Sequence, residues 1–318
     1  MFRLEPEASS LSARGAGGSS NNAAPNGTAV IISTRGRPQI VSALVRQLAQ
    51  QTRQPEHVFV VAADQDDIAD LSHGDNAVTL HVGRPGLTSQ RNDGLKLAGS
   101  RFSHIVFFDD DFVPSRFWIE RMTAIFETRP DIAGVTGTIL ADGTLDAGIG
   151  FDDANAMVTL HDGKSGQPAG IQEKFAYGSN VGCNMAFRYS ALQGIMFDER
   201  LPLYAWHEDS DVRGQVERRG PFVRAHGLWG VHLGHKQGRL PGVRLGYSQM
   251  ANVAYLAKKG TVPSPFLVKV ASKNLLMNLV RSIRPEPYVD RRGRLRGNLI
   301  GIGDLIRGRI APERILRM

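Results

Sequence analysis

Apolar residues along this chain come in two spacings, and their alternation predicts the architecture. Ala29-Val30-Ile31-Ile32 is a short run, mostly β-branched, with no polar interruption, the pattern of a strand buried on both faces. Pro38 follows where a helix can start, and Ile40, Val41, Leu44, Val45 and Leu48 then recur at helical spacing as far as Gln51. A second run, Val58-Phe59-Val60-Val61, a weaker one from Ala77 to Val82, a helix-like stretch from Leu87 to Leu97 and a further run, Ile105-Val106-Phe107-Phe108, continue the alternation to about Thr138. Strand and helix in turn predict an α/β fold: a doubly wound, mostly parallel sheet with helices on both faces, binding its ligands at the carboxyl ends of the strands.

Beyond Thr138 the periodicity fades. A Gly- and Asp-rich stretch over 141–170 predicts long loops or an irregular hairpin, the kind of segment that carries substrate contacts. Order is expected again at Gly182 to Arg188, followed by a helix from Glu208 to Arg219 stopped by Gly220-Pro221, and by helices over Tyr247 to Lys259 and Phe266 to Ile283. Residues 1–27 are rich in Ser, Gly, Asn and Ala and predict a disordered arm.

Charge changes this picture only at one end. The net +7 is not spread evenly: from Arg281 onward there are ten Arg and four Asp or Glu, while the residues before them hold 28 basic and 27 acidic side chains. A neutral body with an Arg-rich end fits anionic headgroups or a phosphorylated acceptor at least as well as nucleic acid, with a merely solvated tail as the plainer alternative; no nucleic acid is expected as a partner. Leu267, Val270, Leu275, Leu276, Leu279 and Val280 form one apolar face beside Lys269, Lys273 and Arg281, so a peripheral contact with an anionic membrane is expected. The competing expectation packs that helix on the catalytic body. No run reaches the roughly 20 apolar residues of a spanning helix, and the N-terminus lacks a secretory layout, which predicts a cytoplasmic protein. A single cysteine, Cys183, excludes an internal disulfide.

The densest chemistry is Phe107-Phe108-Asp109-Asp110-Asp111-Phe112. Three carboxylates at the end of a buried strand repel each other unless a cation joins them. In extended backbone Asp109 and Asp111 face the same side, and hard oxygen ligands suit Mg2+ or Mn2+ bridging to a diphosphate. Acidic triplets also occur as helix caps and solvated turns. A second acidic group, Trp206-His207-Glu208-Asp209-Ser210-Asp211, sits where a helix begins. Capping explains one acid there; an aromatic-lined cleft with a carboxylate serving as general base explains the rest.

Together these segments resemble glycosyltransferase family 2 over about residues 28–260. The matching parts are Ile32-Ser33-Thr34-Arg35-Gly36-Arg37-Pro38, Ser89-Gln90-Arg91-Asn92-Asp93-Gly94, the DxD-like Asp109-Asp110-Asp111, Gly182-Cys183-Asn184-Met185-Ala186-Phe187-Arg188, and the ED-like Glu208-Asp209-Ser210-Asp211. The resemblance implies a GT-A fold and inverting transfer from a nucleoside diphosphate sugar to a glycan or lipid-linked acceptor, in polysaccharide biosynthesis. It implies Thr34, Asp64 and Arg91 near base and ribose, Arg35 near phosphate, and Asp109 to Asp111 on ribose, diphosphate and metal. Asp209 would be the base, with Asn184, Trp206 and Glu208 on the acceptor or sugar side. His232, of the two histidines in Gly230-Val231-His232-Leu233-Gly234-His235, would complete the metal shell. Two departures stand out: Ala62-Ala63-Asp64 replaces the family's acidic pair, and Arg35 replaces an aromatic.

The implied layout is an arm over 1–27, a nucleotide-sugar-binding half over 28–140, an acceptor-binding and catalytic half over 141–262, and a helical Arg-rich extension over 263–318. A nucleotidyltransferase is the nearest rival, but Ser33 to Pro38 supplies a poor triphosphate loop, and neither G-x-x-x-x-G-K-[ST] nor G-x-G-x-x-G follows the first strand. A non-catalytic basic module for membrane or nucleic acid leaves both acidic groups unexplained.

Overall fold

The structure, a computed structural model, describes residues 26–71, 77–164, 170–178, 182–236 and 240–318. The arm expected over 1–27 lies outside these except for its last two residues. Within them the chain forms strands β1 (Thr28–Thr34), β2 (His57–Ala62), β3 (Val78–Val82), β4 (His104–Asp109), β5 (Phe112–Pro114), β6 (Gly134–Asp142), β7 (Ile171–Gln172), β8 (Asn184–Arg188) and β9 (Phe222–His232). Its helices are α1 (Pro38–Leu48), α2 (Leu87–Ala98), α3 (Trp118–Thr128), α4 (Phe151–Lys164), α5 (Tyr189–Leu192), α6 (Glu208–Val216), α7 (Gly242–Lys259), α8 (Ser264–Arg281) and α9 (Arg291–Ile306).

One sheet runs β3-β2-β1-β4-β8-β6-β9-β5, with β7 beside β9. β3, β2, β1 and β4 are parallel throughout, and β8 enters antiparallel between β4 and β6. β6 and β9 resume the original direction, so the sheet is mostly parallel, as the alternating pattern predicts. The uninterrupted apolar runs explain its middle: Val30, Ile32, Val60, Val106 and Phe108 pack on one face, and Ala29, Ile31, Phe59, Ile105 and Phe107 on the other. Register places the chemistry. Thr34 pairs with Ala62 and Ser33 with Asp109, so β1, β2 and β4 all end on one rim.

One expectation fails: 151–164 is a helix, not a loop or hairpin. Only Ala154 and Val158 of α4 are buried, so its sequence carries almost no apolar periodicity. Asp152 and Asp153 sit in its first turn, where the helix dipole favours acids. At the C-terminal end, α9 lies along α7 with the two backbones in contact. A Cβ on Gly246 would meet the Arg294 carbonyl, and one on Gly297 the Val243 carbonyl.

Candidate active site

The triplet demands positive charge, and the chain supplies it from three places. Arg91 on α2, buried to 2% exposure, donates from Nη2 to Asp109 Oδ1 at 2.8 Å and from Nη1 to Glu208 Oε1 at 2.6 Å. It also donates to the Gly182 carbonyl at 2.8 Å. Arg37, at the start of α1, reaches Asp111 Oδ2 at 2.8 Å and Asp110 Oδ1 at 3.3 Å. His232, the last residue of β9, lies between Asp111 at 3.3 Å from Nε2 and Asp142 at 3.0 Å from Nδ1. Two guanidiniums and an imidazole thus face three aspartates at the rim of the sheet.

These partners divide the triplet. Asp110 turns inward, accepting from Thr34 Oγ1 at 2.7 Å, and burial pushes it up to about 7 even beside Arg37. Burial alone would raise Asp111 too, but the hydrogen bond and charge of His232, with Arg37, hold it well below the usual carboxylate range. Burial likewise works against a charged His232, yet Asp111 and Asp142 lift it to about 10. Oxygens of Asp109 and Asp111 and a ring nitrogen of His232 lie within 4.8 Å of one another, a group able to hold a metal ion. His235 joins through its backbone N–H, which donates to Asp111 Oδ2 at 3.1 Å.

The second acidic group sits at the start of α6, entered through strained backbone. Leu203, Ala205 and His207 take φ of 60°, 51° and 71°, a left-handed conformation unfavourable for side-chain-bearing residues. The strain is held by packing. Leu203 accepts from the Leu87 N–H at 2.9 Å, Leu201 from Thr88 Oγ1 at 3.1 Å, and the Trp206 carbonyl from Asn252 at 2.9 Å. The result aims Glu208 and Asp209 at Gly182, where a Cβ would sit 3.0 Å from Glu208 Oε1 and 3.2 Å from Asp209 Cβ. Burial pushes Glu208 up to about 8 and Asp209 to about 6. Ser210 donates from its backbone N–H to Asp209 Oδ1 at 2.7 Å. Cys183, beside Gly182, is buried, and its carbonyl accepts from the Asp109 N–H. Burial, then Asp109, raises its thiol well above the ordinary range.

Not every expected residue converges here. Arg35 is exposed, and Asp64 is exposed, its side chain accepting from the Asp66 N–H at 3.1 Å. Asn184 is fully buried on β8, its Oδ1 accepting from Thr136 Oγ1 at 3.0 Å and the Gly137 N–H at 2.9 Å. The Trp206 ring rests on His207, centroids 4.0 Å apart. Sequence reasoning passed over Arg37, Asp142, Gln90 and Asp67. Gln90 ties the Thr34 and Val61 carbonyls together at 2.8 Å each, and Asp67 binds the Gly36, Ala63 and Asp64 N–H groups. The spacing Asp64-x-x-Asp67 is a capping box and was the available signal for the latter.

Residues 25–147 match the family described as "Glycosyltransferase like family 2". No curated protein matches the chain. Among solved structures, S. aureus TarS 1–349 superposes with a TM-score of 0.53 at 14% identity, over 91% of this chain and 82% of that one. TarS 1–349 in complex with UDP-GlcNAc gives 0.52 at 13% identity, with the same coverage of both chains. The mannosyltransferase PcManGT from Pyrobaculum calidifontis, in complex with GDP-Man and Mn2+, gives 0.48 at 14% identity, covering 89% of this chain and 87% of that one. Identity this low speaks for fold, and the family match speaks for kind. The segment that carries Thr34, Arg91 and the three aspartates thus matches glycosyltransferase-like family 2, and the fold of the chain is the GT-A fold.

Proposed function

We propose that the protein transfers a sugar from a UDP- or GDP-linked donor to a hydroxyl of a glycan or lipid-linked acceptor, with inversion, in polysaccharide biosynthesis. One observation carries this reading: Arg91 holds Asp109 of the triplet and Glu208, the neighbour of Asp209, on a single buried guanidinium. Donor side and base side are thereby fixed relative to each other, the positioning that lets an attacking hydroxyl meet a bound sugar. Residues 28–140 would bind the donor, 141–262 the acceptor, and 263–318 would hold the enzyme in peripheral contact with the cytoplasmic side of a membrane.

The donor set Asp109, Asp111 and His232 suits Mn2+ or Mg2+, and such an ion would offset the charge on a departing nucleoside diphosphate. Asp209 takes the proton of the acceptor hydroxyl as its oxygen attacks the anomeric carbon and the bond to the diphosphate breaks on the opposite face. Its raised position, about 6, leaves it ionised at neutral pH yet more basic than an ordinary aspartate. Arg91 keeps Asp109 and Glu208 in place, and Asp142 orients the His232 ring through Nδ1. Thr34 and Asp110, buried and hydrogen-bonded to each other, would back the nucleotide-sugar pocket from beneath rather than face solvent. UDP-GlcNAc, bound by TarS, is of the donor class proposed.

The test is calorimetry of UDP and GDP with and without Mn2+, followed by NMR of the product anomer. Asp111→Ala should lose Mn2+-dependent nucleotide binding while keeping the wild-type circular dichroism, at some cost in melting temperature because Arg37 and His232 lose a buried partner. Unchanged affinity removes Asp111 from the site, and a product with retained configuration removes Asp209 as base.

A further inference from the structure

Helix α8 does not behave as a core helix. Of its residues only Leu267 and Asn278 are fully buried, while Val268, Leu276, Leu279 and Val280 face outward, followed by Ile283 at 82% exposure. Leu299 and Ile306 extend the exposed apolar surface onto α9, Ile306 at 81%. α9 packs beside α8 through the buried contact of Asn278 Nδ2 with Asn298 Oδ1 at 2.8 Å. An uncovered apolar area of this kind marks an interaction site.

Charge says what covers it. Lys269, Lys273, Arg281, Arg284, Arg292 and Arg296 are exposed on the same two helices and the turn between them. Of the acids in the segment, Glu286 pairs with Arg291 and reaches Arg281 at 4.0 Å, Asp304 pairs with Arg314, Glu313 with Arg200, and Asp290 accepts from the Gly293 N–H at the start of α9, so Arg281 alone of these six basic residues is met by one of them. The surface is therefore apolar at its crest and basic around it, complementary to acyl chains beneath anionic headgroups. Long Lys and Arg stems can lie along such a crest with their charges at headgroup level. A second copy fits less well, since a two-fold pairing of this face would set its basic side chains against their own images. No helix among the described residues is long and apolar enough to cross a membrane, so the contact is on the surface.

We propose that the outer face of α8, continued by α9, seats the enzyme on an anionic phospholipid bilayer. This deepens the peripheral placement above by giving it a surface and an orientation. α8 begins at the site: its Phe266 ring meets His207 edge-on at 5.7 Å and Tyr177 at 6.0 Å, and His207 immediately precedes Glu208 and Asp209. The crest thus leads from the base side of the catalytic centre to the lipid, where a lipid-linked hydroxyl would arrive.

The full chain should float with vesicles of phosphatidylglycerol and phosphatidylcholine and stay behind with phosphatidylcholine alone. Removing 284–318 is unsuitable because α7 and α9 touch backbone to backbone, so substitutions are confined to exposed positions. Lys273→Gln, Arg284→Gln and Arg296→Gln together should weaken partition about 100-fold, and salt near roughly 0.5 M should do the same to the unaltered chain. Leu276→Ser, Val280→Ser and Ile283→Ser together should release it with circular dichroism unchanged; if that variant unfolds, the charge variant decides. Equal flotation with neutral vesicles, or unchanged flotation of the charge variant, overturns the proposal. So does a dimer in light scattering that the Ser variant makes monomeric, with no vesicle binding. Donor is absent from every arm, so a failure here leaves the transfer reading standing, and inactive protein that still floats leaves this one.

Discussion

Two populations of arginine in this chain do opposite things. Arg91 and Arg37 turn inward at the rim of the sheet, Arg91 joining Asp109 to the distant Glu208 and Arg37 shared by the neighbours Asp110 and Asp111. Arg284, Arg292 and Arg296 stand on the C-terminal helices facing solvent. The same residue type thus organises a site in one region and decorates a surface in the other. What separates them is whether the sequence brings acids to the same strand end. Composition registers only the sum, +7, and that sum points at the surface population alone.

The contrast is broken most strongly at Arg91. Arg91→Ala leaves the buried Glu208 and the half-buried Asp109 without their cation and should cost about 3–5 kcal/mol in urea denaturation, whereas Arg296→Ala should stay within about 0.5 kcal/mol. Arg91→Lys should not rescue, because one ammonium cannot reproduce a fork reaching two acids and a carbonyl. Equal effects at both positions would erase the distinction. Next comes Asp209→Asn, expected to lower kcat by about 10²-fold with donor affinity nearly kept. In the wild type kcat/KM should fall as pH drops through about 6, since burial raises this group and only its ionised form accepts a proton. That acid limb should vanish from the residual activity of the Asn variant. If Glu208→Gln shows this behaviour instead, the base is one residue earlier.

Arg37 offers a subtler break because it is partly exposed. Arg37→Gln should cost about 1–2 kcal/mol without metal. Added Mn2+ should then raise the melting temperature more in the variant than in the wild type, since the ion meets less competition for Asp111. An equal shift in both would mean that Arg37 and the metal do not share the carboxylates. The smallest effect is expected at Ala205, where Gly would relieve a φ of 51° and raise stability by at most about 1 kcal/mol.

How much of this is legible in the residues depends on whether one neighbour or several decide the outcome. The runs at β1, β2 and β4 need only their own side chains to declare a two-sided burial, and the aspartates after β4 announce a missing cation by repulsion alone. α4 is illegible for the complementary reason: two buried positions leave no stripe to read. Choosing between Arg35 and Arg37 required the turn at Gly36, whose φ of 70° decides which arginine faces the aspartates. Asn184 was expected on the acceptor side, but its period along β8 puts it against Thr136 and Gly137, neighbours the sequence places 47 or more residues away. Asp64 was the expected acid after β2, yet Asp67, three residues on, is the one that joins the two loops. The apolar face of α8 was readable, though not that it stays uncovered.

Cys183 gives this chain a built-in clock. Its side chain is buried in the apolar cluster that holds Val106 and Phe108, beneath the strand that ends in the aspartates, and the sequence has no other thiol to compete for a reagent. Labelling can therefore proceed only when that part of the core opens, so its rate counts openings of the sheet beside the catalytic centre. A bound donor should slow the clock, while vesicles seated on the exposed faces of α8 and α9 should leave it running.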